Sequence, residues 1–167
     1  MQDFVHLHVH TQYSLLDGQA SVARLVDKAM QNGMKGIAVT DHGNMFGIKE
    51  FTNYVNKKNS GPKGEIKDLK KRLVGIEAGS IECEDKEAEV AACKAKIVEA
   101  ENKLFKPIIG CEMYVARRTM DLKEGKQDQS GYHLIVLAKN ETGYHNLIKL
   151  VSPAWTRGYY MRPRTDR

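Results

Sequence analysis

The chain has 167 residues, of which 41% are hydrophobic and 28% charged, and its formal net charge is +5. These values are typical of a globular protein with a real core, and the charge alone is too weak to argue for a nucleic-acid partner. The apolar runs are too short for a transmembrane helix, and the first residues do not resemble a signal peptide. Three cysteines without C-x-x-C spacing argue against a disulfide framework and predict a cytoplasmic location.

The first predicted element is a strand over residues 4–10, in which apolar residues alternate with histidines. Alternate side chains of a strand point to one face, so we expect His6, His8 and His10 to share a face. Imidazole nitrogens arranged in this way can bind a metal ion. An exposed polar face of an edge strand is the alternative, and spacing leaves open which two histidines bind and which one supports them.

The following elements alternate between helix and strand. Their predicted ranges are a helix that starts after Ser21 and ends before Gly33, a strand over 36–40, a helix over 45–56, strands over 107–116 and 132–138, and a helix over 141–151 with Leu147, Ile148 and Val151 facing inward. This order predicts an α/β fold whose strands run parallel with right-handed crossovers.

Residues 57–106 interrupt this alternation. Two narrow apolar seams with spacings of three and four residues lie in this charged segment, and their members are Ile66, Leu69, Leu73 and Ile76, then Val90, Cys93, Ile97, Ala100 and Leu104. Glycines lie between the two seams and are poor helix formers. We therefore predict an antiparallel helical hairpin inserted between a helix and the next strand.

Chemically active side chains cluster where the predicted strands end. His8 and His10 end the first strand, the pair Asp41-His42 follows the second, and Glu112 lies within the third. In β/α proteins such groups gather at the carboxyl ends of parallel strands. A carboxylate inside an apolar strand needs a partner, which makes Glu112 difficult to explain as an ordinary core residue.

Two aspartates near these strands have two interpretations each. Asp17 before Gly18 is either a ligand that folds back over the first strand or an ordinary turn residue. Asp41 either caps the next helix or orients His42, and we favour the supporting role. His133 lies unexpectedly inside an apolar run, whereas Cys111 is predicted to be a core thiol.

These imidazoles and carboxylates are too many for one tetrahedral ion. They predict a cluster of two or three divalent ions, of which zinc, manganese and iron fit the donor types. Metal clusters of this kind activate water for the hydrolysis of phosphate esters.

Five stretches of the sequence resemble one known family. They are "FVHLHVHTQYSLLDG", "GIAVTDHGNMFG", "KPIIGCEMYVA", "YHLIVLAKNETGYHNLIKLVS" and "RGYYMRPRTD". In this order they resemble the polymerase and histidinol phosphatase (PHP) domain that begins bacterial replicative DNA polymerase III alpha subunits. The resemblance implies a distorted (β/α)7 barrel with a trinuclear metal site, and it covers nearly everything outside 57–106.

The resemblance also implies a role for each site residue. Family metal ligands correspond to His8, His10, Asp17, His42, Glu112 and His133, which leaves a supporting role for His6. The family completes its site with a Cys or His and a D-x-H pair that do not occur after His133. We therefore expect residues 1–167 to be the N-terminal part of a PHP domain, truncated before the barrel closes.

Three functions remain open at this point. The first is a metal-dependent phosphoesterase, including 3′–5′ proofreading, within a DNA-directed DNA polymerase that uses magnesium. The second is a structural module that braces the polymerase and docks a separate proofreading exonuclease and other replisome subunits. The third is a free-standing PHP phosphatase. In the polymerase setting DNA is a partner and a membrane is not.

A basic and aromatic segment ends the chain. Its arginines, which alternate with Trp155, Tyr159 and Tyr160, are Arg157, Arg162, Arg164 and Arg167. Such a segment can contact phosphates and stack on bases. An interface or loop left uncovered by truncation is the alternative interpretation.

Overall fold

The structure, a computed structural model, describes residues 4–129 and 131–166. Its elements in chain order are α1 (Val22–Gln31), β1 (Gly36–Val39), α2 (Ile48–Lys58), α3 (Ser60–Glu77), α4 (Lys86–Asn102), β2 (Lys106–Ala116), a 3-10 turn (Lys126–Asp128), β3 (Gly131–Leu137), α5 (Glu141–Thr156), β4 (Tyr159–Tyr160) and β5 (Arg162–Thr165). The chain divides into two compact units, of which one is Val55–Phe105 and the other comprises the residues before and after it.

The sheet of the first unit is organised around β2. The first part of β2 pairs in parallel with β1, from Gly36 opposite Lys106 to Val39 opposite Ile109. Its last part pairs in parallel with β5, and β5 continues into an antiparallel pair with β4. The fold is therefore mixed α/β with parallel strand pairs.

The predicted parallel direction is wrong for β3. This strand pairs antiparallel with β2 over seven residue pairs, from Gly110 opposite Leu137 to Ala116 opposite Gly131. Helical crossovers connect parallel strands, but the described residues between β2 and β3 form a 3-10 turn and no α-helix. The start of β3 consequently lies beside the end of β2.

The predicted strand over residues 4–10 is also wrong as a regular strand. The segment runs beside β1, where Ala38 N–H donates to the His6 carbonyl and Thr40 N–H donates to the Val9 carbonyl, each over 2.9 Å. Between these two bonds the N-terminal segment advances three residues, from His6 to Val9, whereas the chain at the end of β1 advances two, from Ala38 to Thr40. A bend lies at Leu7. The extra residue interrupts the strict alternation of side chains, as in a β-bulge.

Helices cover the apolar face of this sheet. Val22 and Val26 of α1 are completely buried, and Ser21 caps the helix by accepting from the Arg24 N–H, as predicted. On α5, Leu147 and Val151 pack with the β2 side chains in a common core. Ile148 was predicted to face inward but is 37% exposed.

The unit Val55–Phe105 contains two packed helices. Ion pairs join Lys70 of α3 to Glu101 of α4, and Glu77 of α3 to Lys94 of α4. Later residues of α3 thus meet earlier residues of α4, which makes the two helices antiparallel. The buried residues of α4 recur every three or four positions, as in a helix seam, and are Cys93, Ile97 and Ala100. In the described part of the chain, no helix is both long and apolar enough to cross a membrane.

Candidate metal centre

The centre is built around Glu112, a carboxylate in β2 that is 5% exposed. Its Oε2 atom lies 2.7 Å from Nε2 of His10 and 2.9 Å from Nε2 of His8. Its Oε1 atom lies 2.9 Å from Nδ1 of His133 and 3.9 Å from Nε2 of His42. Four predicted histidines are therefore brought to one carboxylate.

Strand pairing on both sides of β2 places two of these rings. His42 follows β1 and forms a parallel bridge with Glu112, whose carbonyl accepts from the Gly43 N–H over 2.8 Å. The register of β3 sets His133 opposite Tyr114. Opposite residues of an antiparallel pair share a face, as do alternate residues of one strand, so His133 and Glu112 face the same side.

Asp17 closes the centre from the loop that follows the histidine pair. Its Oδ1 atom lies 3.0 Å from Nδ1 of His10, and its Oδ2 atom lies 2.9 Å from Nδ1 of His42. The Ser14 hydroxyl donates to Asp17 and accepts from the His42 backbone N–H. Asp17 therefore holds the ring nitrogens that face away from Glu112 and orients both imidazoles.

Both carboxyl groups of the centre have a lowered pKa. Burial raises the pKa of Glu112, but the hydrogen bond from His8 and the interactions with His42 and His10 outweigh it. Burial likewise raises the pKa of Asp17, and hydrogen bonds from Ser14 and His42 reverse the effect. The centre presents two carboxylates among imidazole nitrogens, a donor set that suits divalent transition metals.

Two triplets of ligand atoms fit a metal ion, because the atoms of each lie within 4.8 Å of one another. One triplet is His8, His10 and Glu112, and the other is His42, Glu112 and His133. Nε2 of His42 is buried and has no hydrogen-bond partner in the described residues, which is costly unless a ligand occupies it. Because Glu112 belongs to both triplets, the residues fit two ions that share a carboxylate.

The two predicted supporting residues behave differently from expectation. Asp41 is completely buried and accepts from Thr11, over 2.6 Å from its N–H and 2.8 Å from its hydroxyl. It therefore fixes the start of the loop after His10 rather than the His42 ring. His6 is exposed, and its ring packs edge-on against Phe4 instead of supporting a ligand.

The predicted arginine group is not one surface. Arg164 is 1% exposed and donates to the carbonyls of Gly158, Asp128 and Met120, so its prediction as a nucleic-acid contact is wrong. Arg157 forms a bidentate pair with Asp121. The Arg162 guanidinium lies over the Tyr114 ring. Arg167 lies outside the described residues.

Tyr114 is a residue of the centre that sequence reasoning missed. Its ring stacks on His42 with 4.1 Å between centroids and meets the edge of His133 at 5.1 Å. The signal was available, because Tyr114 lies two residues after Glu112 and alternation puts both on one face of β2. Ser14, which joins Asp17 to His42, had no comparable signal.

Comparison with known proteins defines the class of this fold and centre. The PHP domain family matches residues 6–167, and the chain belongs to that family.

Three curated proteins show which members of the PHP family the chain is similar to. The chain is 39% identical over 167 residues to DNA polymerase III subunit alpha of Borreliella burgdorferi, and 40% identical over 164 residues to that of Treponema pallidum. Each match covers 98% of the chain and 10% of the relative. The Aquifex aeolicus protein of the same name is 33% identical over 171 residues, which cover 99% of the chain and 11% of that relative. The chain thus spans about a tenth of the length of these curated relatives and matches their N-terminal region.

Proposed function

We infer that the centre binds two or three divalent ions and hydrolyses phosphate esters. The observation that carries this inference is the convergence of four histidines on Glu112. The ligands we assign are His8, His10, His42, Glu112 and His133, with Asp17 as a further ligand, and zinc, manganese or iron as the metal. Such ions, when bound, activate a water molecule and neutralise charge on the phosphate.

Residues of the chain orient the proposed metal ligands and shield them from water. Asp17 accepts a hydrogen bond from Nδ1 of His42, which leaves the buried Nε2 of that ring available to bind a metal ion. Its other oxygen lies 3.0 Å from Nδ1 of His10. Glu112 links the two triplets. The Tyr114 ring, stacked on His42, shields one face of that imidazole from water.

The relatives suggest the larger setting. We propose that the chain is the PHP part of a replicative DNA polymerase alpha subunit, a magnesium-dependent nucleotidyltransferase of DNA replication in the cytoplasm. Its partners are then DNA, the rest of the polymerase chain, a proofreading exonuclease and other replisome subunits. In this setting the described sheet is the first part of a distorted (β/α)7 barrel, and the hydrolysed ester is a 3′ terminus.

The test combines metal analysis with hydrolysis of bis(p-nitrophenyl) phosphate. The whole chain, loaded with Mn²⁺ and desalted, is expected to retain about two or three ions and to release nitrophenol. Glu112→Gln is expected to lose at least about tenfold in metal affinity and most of the activity. His145→Gln is the matched control, because this histidine lies on α5 with 61% of its side chain exposed. Equal metal content and activity in Glu112→Gln would contradict the proposal.

A structural role is the second candidate. The ligands come from segments far apart in sequence, so bound metal would crosslink the fold and stabilise it. Retained metal with a higher melting temperature, but no hydrolysis of any phosphate ester, would favour this scaffold function over the phosphoesterase.

A further inference from the structure

A pocket of about 250 Å³ opens directly beside the candidate metal centre. Asp17 and His42 line it together with five aromatic residues, and three of these aromatic rings contact one another in a row. These rings belong to Phe46, Trp155 and Tyr159, which we call the aromatic wall. The volume lies below the roughly 300–1,000 Å³ typical of drug-sized ligand sites, which suits one ring system.

The aromatic wall is held in place but remains accessible. The Trp155 ring lies 5.7 Å from Phe46 and 5.7 Å from Tyr159, with the Tyr159 pair stacked. Its indole N–H donates to the Gly43 carbonyl over 2.8 Å, which ties it to the loop after His42. Phe46 is 61% exposed and Tyr159 49% exposed, so their faces can accept another ring.

A cation lies at the same pocket. The Arg162 guanidinium is 5.6 Å from the centre of the Tyr114 ring, and that ring stacks on His42. Within the described residues, Arg162 pairs with no carboxylate, in contrast to Arg157. The residue before it, Met161, has a positive φ of 61°, a conformation that costs free energy and recurs at functional sites.

We propose that this pocket is a subsite for the base of a nucleotide whose phosphate lies at the metal centre. The proposal rests on the phosphoesterase function and specifies its substrate class as a nucleotide ester with an unstacked base. A base stacks on the aromatic wall, and Arg162 attracts the phosphate. The apolar residues on the rim, Leu15 and Leu16, equally suit a protein partner, which is the competing occupant.

Binding is measured without catalysis, by fluorescence. Trp155 is the single tryptophan of the chain and reports on its own pocket. The chain loaded with Zn²⁺, which does not itself quench tryptophan, is titrated with dAMP and with 2-deoxyribose 5-phosphate, which has the same phosphate and sugar but no base. We expect dAMP to quench Trp155 and to bind about tenfold more tightly than the sugar phosphate.

Variants separate the two contacts. Tyr159→Ala is expected to weaken dAMP binding about tenfold and leave the sugar phosphate unaffected, and Tyr159→Phe, which keeps the ring, should restore binding. Arg162→Gln should weaken both ligands equally. Tyr144→Ala is the control, since this tyrosine on α5 lines a different cavity.

The outcomes distinguish this subsite from the catalytic proposal. Equal affinity for the two ligands, or an equal loss in Tyr144→Ala and Tyr159→Ala, would overturn the subsite and favour a protein occupant. Selective dAMP binding in a chain that hydrolyses no phosphate ester would uphold the subsite and reject the phosphoesterase. Hydrolysis of phosphate esters without selective binding of dAMP would uphold the phosphoesterase and reject the subsite.

Discussion

Glu112 illustrates how one residue organises the candidate metal centre. Both of its oxygens face ring nitrogens, and its own strand is the one to which β1, β3 and β5 all pair. The carboxylate is ionised although it is buried, because the surrounding imidazoles lower its pKa. A buried negative charge of this kind requires partners, and bound cations would supply them.

Gly18 is the first residue that we expect to be intolerant of change. A Cβ atom at this position would lie 1.9 Å from the Thr11 carbonyl oxygen, a backbone atom that cannot turn aside. Gly18→Ala should therefore displace the turn that carries Asp17, destabilise the chain by about 1–3 kcal/mol and weaken metal binding. Urea unfolding and Mn²⁺ titration measure both effects.

The control for this prediction lies on α3. A Cβ atom at Gly64 meets no atom within 4 Å, and alanine is the better helix former. Gly64→Ala should raise stability by about 0.5–1 kcal/mol. If the two substitutions had the same effect, the close approach at Gly18 would not be what limits that position.

Arg162 and Arg164 lie two residues apart, but we expect their substitution to change the free energy of unfolding by very different amounts. Arg164 is buried, and its loss would leave three carbonyls without their donor, so Arg164→Gln should cost more than about 2 kcal/mol. Arg162→Gln should change the free energy of unfolding by less than about 0.5 kcal/mol, because that side chain packs on a ring at the surface of a pocket. Similar urea midpoints for the two variants would contradict these assignments.

At the scale of elements, the direction of β3 decides the composition of the centre. His133 lies at the start of this strand, so a parallel β3 would carry it to the opposite end of the sheet from Glu112. The antiparallel pairing with β2 places it 2.9 Å from the carboxylate instead. A parallel β3 and a His133 side chain near Glu112 are therefore incompatible, and the structure has the antiparallel strand.

The connection between β2 and β3 is secured by Asp128. This carboxylate is 1% exposed, accepts from the Arg118 guanidinium, and accepts from the Glu124 N–H over 2.8 Å. The Arg118 hydrogen bonds lower its pKa below the ordinary value of 3.8. A lowered pKa in the folded state means that the ionised group stabilises the fold above pH 3.8, and this contribution is lost as the pH falls through the folded pKa.

We therefore expect Asp128→Asn to be less stable than the unmodified chain at pH 7, with the gap in urea midpoint narrowing below pH 3.8. The control is Glu124→Gln, since the exposed pair of Glu124 with Arg118 should contribute little at any pH. A gap for Asp128→Asn that stays constant from neutral to acidic pH would show that the charge of Asp128 is unimportant.

At the scale of the whole molecule, the unit Val55–Phe105 is closed by hydrogen bonds between Asn59, near its start, and Phe105, its last residue. The Asn59 side chain donates to the Phe105 carbonyl over 2.8 Å and accepts from the Phe105 N–H over 2.9 Å. The two ends of the segment are therefore adjacent, as expected for an insertion. None of the ligand triplets includes a residue of this unit.

Replacing residues 60–104 with a short Gly-Ser linker should consequently preserve Mn²⁺ affinity within about twofold, because a flexible linker spans adjacent ends at little cost. Isothermal titration of the shortened and unshortened chains makes the comparison. A shortened chain that folds by circular dichroism but has lost its metal affinity would refute the proposal that 57–106 is a separable insertion.

The local elements could be predicted because their causes are local. The Ser21 cap and the apolar stripe that follows it predicted α1, and the structure has it over Val22–Gln31. Cys111, predicted as a core thiol, is completely buried, and that burial raises its pKa to about 12. The residues of the centre were likewise visible as polar side chains out of place at strand ends.

What the sequence determined by itself is which side chains are available to bind metal and which short segments become helices or strands. Only the tertiary structure decided that β3 runs antiparallel and that Arg164 is buried and donates to three carbonyls. It also decided that the segment 4–10 pairs with one residue more than the neighbouring chain and so forms no regular strand. Strand direction and burial depend on partners far away in the chain, whereas capping and periodicity depend on neighbours a few residues apart.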